Sequence, residues 1–272
     1  LNDKAIDSEA SKFAKVHKVK FIENYDKNSI CKKFNWDTSK PIGIIFGNDL
    51  TDGLFTMGKG IYRDNYIWLE KVIKFASLNQ NMNWLVKSHP SDLENSGKIK
   101  VKNLFFNNKY PENIKFFPEN FGRNNLFKIV DIVYTNYGTA GYEYPALGIP
   151  SVTSSEHHYQ GMKIAYETKT EKELYTIIIN SHKIKKLDKP YVENAQIFTY
   201  LENVFCKIRL DLATNDFSDE SLYSVNYWKR FEKNFKNSKI HKLNSIKNDE
   251  FYINFKYQID KKLKHSINCK LL

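Results

Sequence analysis

Short apolar runs that discharge into polar or glycine-containing loops recur along the first two thirds of the chain. They end at Phe46, Lys87, Phe117, Tyr134 and Thr153. The run Ile42-Gly43-Ile44-Ile45-Phe46 follows a turn signal at Lys40-Pro41 and holds no polar residue, as expected of a strand buried on both faces of a parallel sheet. Asn83 to Lys87, Ile114 to Phe117, Ile129 to Tyr134 and Ser151 to Thr153 read as further short strands. Helical spacing intervenes at Tyr66, Leu69, Val72, Ile73 and Ala76. A second helix is predicted to start at Thr170 as N-cap, with Glu173 three residues on completing a capping box, and to run through Ile179.

This alternation predicts an α/β fold: a single doubly wound Rossmann-like domain with a parallel sheet over residues 35–182. Residues 1–34 read as a helical connector, with Ala5, Ala10, Phe13, Ala14 and Val16 at helical spacing before a polar stretch from Glu23 to Lys33. Residues 183–272 read as a helical, basic extension whose aromatic positions at helical spacing are core-like before they are base- or sugar-stacking.

Within that frame the stretch from Asp131 to Pro150 carries the sharpest chemistry. A strand ends in the small polar cluster Thr135-Asn136-Tyr137-Gly138-Thr139-Ala140, and a helical pattern follows, closed by Gly148 and Pro150. Helix starts of this kind gather unsatisfied backbone N–H groups and suit a phosphate, although an ordinary strand-to-helix loop capped by threonine has the same appearance. Two more strand ends hold candidates. After Phe46 a loop with glycines at 53, 58 and 60 also offers Asp49, Asp52, Lys59 and Arg63, at the carboxyl end of a strand where open α/β sheets bind ligands. It matches neither a dinucleotide fingerprint nor a P-loop. After Lys87 comes Ser88-His89-Pro90, where the proline biases His89 towards extended geometry and Lys87 adds a cation on the same strand face. A buried structural histidine is the competing reading of His89.

Composition alters this picture little. The net charge of +11 is distributed as +4 over residues 1–180 and +7 over residues 181–272, so the globular part is nearly balanced and the excess lies in the tail. A basic tail suits an anionic surface such as the inner membrane leaflet more than it suits nucleic acid, and it equally fits a proteome rich in Lys and Asn. Three cysteines, Cys31, Cys206 and Cys269, lack both disulfide parity and metal-ligand spacing, which points to the cytoplasm and to no bound metal. No apolar stretch is long enough to cross a bilayer, and a start at Leu1 without a signal-peptide core reads as a chain cut from something longer.

Four segments, NWDTSKPIGIIFGNDLTDG, YIWLEKVIKFASLNQNMNWLVKSHPSD, DIVYTNYGTAGYEYPALGIPSVTSSEHHYQG and TKTEKELYTII, taken in order, resemble the nucleotide-sugar-binding half of capsule polysaccharide biosynthesis glycosyltransferases of the GT-B fold, the class that includes Kdo transferases. The resemblance covers about half the chain, residues 35–180. It implies a nucleotide-sugar donor, CMP-linked, as substrate and a polysaccharide or glycolipid acceptor; no cofactor is expected, and peripheral contact with the inner face of the membrane is expected from the basic tail. The resemblance further implies that His89 and Pro90 contact the donor phosphate. Thr135, Asn136, Tyr137, Gly138 and Thr139 would form the phosphate-binding turn, Glu143 would accept from ribose hydroxyls, and Ser154, Ser155, His158, Tyr159 and Gly161 would line the neighbouring loop. Lys87 would add positive charge, and His89 and Asp52 are the residues assigned to catalysis. The other Rossmann-like half of such enzymes is not in this sequence, so a missing N-terminal domain upstream, a partner chain or a lost activity is implied. Two rivals stay open: a sugar-nucleotide epimerase or glycerophosphotransferase on the same architecture, and a non-enzymatic module whose basic tail holds RNA or membrane.

Overall fold

The structure, a computed structural model, describes residues 25–50, 58–89, 100–118, 121 and 123–202. Asp52 and Pro90, the helical spacing at residues 5–16 and the extension beyond residue 202 lie outside the described residues. In chain order the elements are α1 (Lys27–Phe34), β1 (Ile42–Phe46), α2 (Asn65–Leu78), β2 (Asn83–Lys87), α3 (Val101–Phe106), β3 (Ile114–Phe116), β4 (Ile132–Tyr134), α4 (Ala140–Glu143), β5 (Ser151–Thr153), β6 (Tyr166–Glu167), α5 (Glu171–Ile179) and α6 (Lys189–Tyr200).

The six strands form one sheet in the order β3-β2-β1-β4-β5-β6. Every pairing is parallel, with Ile44 of β1 facing Leu85 of β2 on one side and Val133 of β4 on the other. The chain winds outward from β1 through β2 to β3, then returns to β4 and winds the other way. This is the doubly wound, Rossmann-like arrangement, and its strand order reverses between β1 and β4.

Both faces are covered, which explains the unbroken apolar runs. On one face Ile45, Trp84, Val86, Ile132, Tyr134 and Val152 pack under α2 and α5 through Trp68, Leu69, Val72, Leu174 and Ile178. On the other, Ile42, Ile44, Leu85 and Val133 pack with Ile30, Trp36, Leu126, Ile129 and Tyr144. Neighbouring residues of one strand thus serve opposite layers, as the two-residue period of a strand requires.

Local chemistry sets the element ends, and several differ from the sequence reading. The polar stretch at 23–33 contains a helix, α1, because Asp26 accepts from the Ser29 N–H while the Ser29 hydroxyl accepts from the Asp26 N–H, and because Ile30 and Cys31 are buried. Strand β4 begins at Ile132 instead of Ile129: the Asp131 carboxylate and N–H bond the N–H and carbonyl of Ile42 at 2.8 and 2.7 Å, and pairing starts there. The helical pattern after residue 139 is a single turn, α4, followed by a 3-10 turn over Pro145–Leu147, since Pro145 cannot continue an α-helix. At α5 the Thr170 hydroxyl accepts from the Glu173 N–H, but the Glu173 carboxylate returns to Lys169, one residue before the cap. Helix α6, assigned by sequence to the extension, packs on the sheet domain: Ala195 is buried with Tyr142 and Tyr159, and Gln196 Nε2 donates to the Ala146 carbonyl at 3.1 Å.

Gly43 is fixed by its neighbour across the sheet. A Cβ there would stand 2.5–2.6 Å from the indole of the fully buried Trp84. Gly43→Ala is therefore expected to cost about 1–3 kcal/mol through overpacking. Urea unfolding checks this, with a lowered midpoint and an unchanged slope as the expected result.

Candidate functional site

The carboxyl ends of β1 and β4 flank the point where strand order reverses, the position at which open α/β sheets leave a crevice for ligands. Three loops meet there, those after β1, β4 and β5. What holds them is a network of buried amides that departs from Asn136, a residue 2% exposed. Asn136 Nδ2 donates to Asn65 Oδ1 at 2.8 Å, and Asn136 Oδ1 accepts from the Ser155 hydroxyl at 2.6 Å. The Asn136 carbonyl accepts from the N–H groups of both Ser154 and Ser155. Asn65 Nδ2 in turn donates to the Asp49 carbonyl at 2.9 Å and to the Tyr137 hydroxyl at 2.8 Å.

The β1 loop is also stitched to the β5 loop through its backbone. Gly60 and Ser155 form an antiparallel bridge, Ile61 N–H donates to the Ser154 carbonyl, and Glu156 and Lys59 exchange bonds at 2.9 and 3.0 Å. The three loops are one cross-linked unit.

This assigns the sequence candidates different duties. Asn136 and Ser155 spend their side-chain polar atoms on each other and on Asn65. Thr135 is buried, and its hydroxyl accepts from the Gly138 N–H at 3.1 Å, closing the turn from inside. Ser154 is 2% exposed and lies 3.3 Å from the Thr168 hydroxyl. Tyr137 points inward to Asn65. Thr139 is exposed, and among the described residues neither its backbone N–H nor that of Ala140 has an acceptor. Thr139 does not cap α4 with its side chain. Glu143, half-buried, ends that one-turn helix. His158 is exposed, its ring against Tyr142, Tyr159 and Phe198.

Lys87 and His89 sit at the end of β2, on the far side of β1 from β4, roughly 10 Å away by strand spacing. Lys87 is partly buried with Nζ 3.3 Å from the Ser88 carbonyl, and His89 is exposed. Among the described residues no group of His, Cys, Asp and Glu side chains is arranged to hold a metal ion.

Sequence reasoning missed Asn48, Asn65 and His157. Asn65 was the most readable. It lies three, four and seven residues before Trp68, Leu69 and Val72, which puts an amide on the apolar stripe of α2, where only a bonded polar group is tolerated. His157 is 9% exposed, with Nε2 3.0 Å from the Thr153 hydroxyl and its ring stacked on Tyr159 at 3.7 Å. Burial, aided by the neighbouring His158, lowers its pKa to about 4.

No protein-family model matches the chain. No curated protein matches it in sequence. Among solved structures it is similar to the beta Kdo 2,4 transferase KpsC of Thermosulfurimonas dismutans, at 16% identity over 71% of this chain and 54% of that one, with a TM-score of 0.39. It is also similar to sucrose-phosphate synthase of Thermosynechococcus elongatus, at 14% identity over 67% and 48%, with a TM-score of 0.40. A third is Anabaena HepE, solved in complex with UDP, at 11% identity over 75% and 51%, with a TM-score of 0.36. The chain spans about half the length of each of these structures. The fold assignment rests on the strand order and register themselves: a Rossmann-like α/β domain whose strand order reverses between β1 and β4.

Two expectations follow. Asn65→Ala removes the bonds to Asp49, Tyr137 and Asn136 together, and a loss of about 2–3 kcal/mol is expected in denaturant unfolding, as for other buried groups stripped of partners. The second concerns pH. Because His157 holds its proton less tightly folded than unfolded, the stability due to its burial is fully present above about pH 6.5 and falls as pH drops towards 4. The unfolding free energy of wild type is expected to fall by on the order of 3 kcal/mol more than that of His157→Gln across that window.

Proposed function

We propose that this chain is the donor-binding part of a glycosyltransferase that moves a sugar from a nucleotide-activated donor, CMP-linked, to a capsular or other surface polysaccharide acceptor. The observation that carries the reading is the β4–α4 turn at the reversal of strand order. Its side chains are consumed holding it in place, while among the described residues the N–H groups of exposed Thr139 and buried Ala140 have no acceptor. Such paired amides suit the oxygens of a phosphate. The ordered sequence segments that resemble capsule glycosyltransferases supply the direction from phosphate to nucleotide sugar.

In this reading the leaving nucleotide's growing negative charge is met by the turn's N–H groups and by His89 and Lys87 from the neighbouring strand end, so that transfer needs no metal. Glu143 accepts from ribose hydroxyls. His158 and the loop around Ser154 and Ser155 wall the donor, and Asp52 or Asp49 takes the acceptor proton. The acceptor is bound by a second domain or a partner chain, with the work done at the cytoplasmic face of the membrane. No helix among the described residues is long and apolar enough to cross a bilayer.

A thermal-shift series against CMP, CDP, UDP and GDP tests this. CMP at about 100 times its Kd is expected to raise Tm by roughly 5 °C, and His89→Ala to reduce that affinity about tenfold without lowering the ligand-free Tm. A Tm that no nucleotide moves would overturn the reading. Product analysis with CMP-sugar, UDP-sugar and CDP-glycerol then separates glycosyl transfer from epimerisation and glycerophosphate transfer.

A further inference from the structure

The amino ends of the strands, the edge opposite the candidate site, carry a surface of different chemistry. Its centre is the segment between α5 and α6, where four lysines and one aspartate stand between Ser181 and Lys189 with no aromatic or arginine side chain among them. Lys183, Lys185 and Lys186 are exposed, and none of the three makes an ion pair among the described residues. Lys183 Nζ lies 3.2 Å from the Asn180 side-chain oxygen. The fourth, Lys189, is paired with Glu193 at 3.5 Å.

Two hydrogen bonds set an exposed leucine on either side of these lysines. Asn79 Nδ2 donates to the Ile178 carbonyl at 2.9 Å, which ties the end of α2, and with it Leu78, to the last turn of α5. On the other side the Leu187 N–H meets the Gly148 carbonyl at 3.4 Å, which sets Leu147 beside the lysine segment. Leu78 is 58% exposed and Leu147 41% exposed. Each ends a helix or turn just ahead of a strand, Leu78 before β2 and Leu147 before β5, so both belong to the amino edge. A single exposed leucine is ordinary. Two of them flanking three unpaired cations form a surface that nothing in the packing of the domain requires.

We infer that this edge docks on an anionic lipid bilayer, with Leu78 and Leu147 entering the headgroup boundary and Lys183, Lys185 and Lys186 meeting lipid phosphates. The two components together select the partner. An anionic bilayer offers apolar depth and negative charge in one plane, and lysine stems can lie along the apolar layer while their ammonium groups stay in the polar one. A nucleic acid would meet the lysines but gains little from two leucines, and the arginine forks and aromatic faces that hold bases are absent from the segment. The inference deepens the proposed function and rests on it only for which membrane is met. With the amino edge on the bilayer, the carboxyl edge is held away from it by at least the length of a five-residue strand, roughly 16 Å. A donor bound there serves an acceptor that rises from the surface, such as a lengthening glycan, and not one lying among the headgroups.

The test is sedimentation of the full chain with vesicles of phosphatidylcholine alone and of phosphatidylcholine with an equal part of phosphatidylglycerol, at low and at high salt. Wild type is compared with Lys183→Gln/Lys185→Gln/Lys186→Gln, with Leu78→Ser/Leu147→Ser and, as a control of equal charge in the basic tail, with Lys261→Gln/Lys262→Gln/Lys264→Gln. Wild type is expected on the anionic vesicles and not on the neutral ones. The variant at 183, 185 and 186 is expected to lose about a hundredfold in partitioning at low salt, at about fivefold per lysine, and the tail variant less than about tenfold. The leucine variant is expected to lose roughly tenfold at low salt and to keep that loss at high salt, where the lysine difference shrinks. Both edge variants are expected to keep the wild-type Tm, because the substituted side chains are exposed. An equal loss in the tail variant and the 183/185/186 variant would overturn the inference, since charge anywhere in the chain would then suffice. So would an unaffected leucine variant, equal binding to neutral vesicles, or retention of single-stranded RNA with no vesicle binding. Vesicle binding by a chain that no nucleotide stabilises would sustain the docking surface and overturn the proposed function, and nucleotide binding with no vesicle binding would do the reverse.

Discussion

Asn136 stands at the carboxyl end of β4 with almost no access to water, and the arrangement of the loops around it follows from the need to satisfy it. A buried primary amide left unbonded costs about as much as a sizeable fraction of a domain's whole stability. Here it is satisfied by Asn65 from the start of α2 and Ser155 from the loop after β5, and its backbone carbonyl by the N–H groups of Ser154 and Ser155. Each partner belongs to a different segment, so closing the hydrogen bonds of one residue fixes the mutual positions of three loops. The network is cooperative in the sense that removing any member strands the others.

The central strands beneath are predominantly apolar. They are buried on both faces, and Trp84 lies flat over Gly43 with Tyr134 alongside at 5.6 Å. Within β1 and β4 the side chains that enter the layers are apolar apart from the Tyr134 hydroxyl, which is bonded to Ser181, and small polar residues follow at the carboxyl ends. Parallel pairing puts all the carboxyl ends on one edge, and reversal of the winding between β1 and β4 opens a gap there. The position of the candidate site is thus a product of topology, and the amide network ties together the loops that meet there.

The strand ends were legible because each β-run is bounded by a sharp change from apolar to polar residues, as at Phe46-Gly47-Asn48 and Tyr134-Thr135-Asn136. The site was legible at the level of the loop and not of the atom. Thr135, Asn136 and Ser155 were picked out for their polar groups, and those groups proved to be turned inward, because a pattern of small polar residues after a strand does not distinguish a side chain that bonds a ligand from one that braces the turn. Helix α1 was missed because its signals, an Asp26–Ser29 cap and two inward residues, are diluted among lysines. Asn65 and Tyr159 act across 71 and 21 residues of sequence respectively, and no local pattern reports a partner that distant.

The short length of α4 changes how an anion would be held. A four-residue helix broken by Pro145 sums few peptide dipoles, so the field that a longer helix would project at its start is largely lacking. Attraction then depends on individual N–H groups and nearby cations, and a hydrogen bond, unlike a diffuse field, weakens steeply when its angle is wrong. Under the proposed function, precision in the peptide planes of residues 138–140 would stand in for dipole strength. The turn is bonded from within by Thr135, through the Gly138 carbonyl by Tyr159, and at Asn136 by Asn65 and Ser155, so its peptide planes are held from three sides.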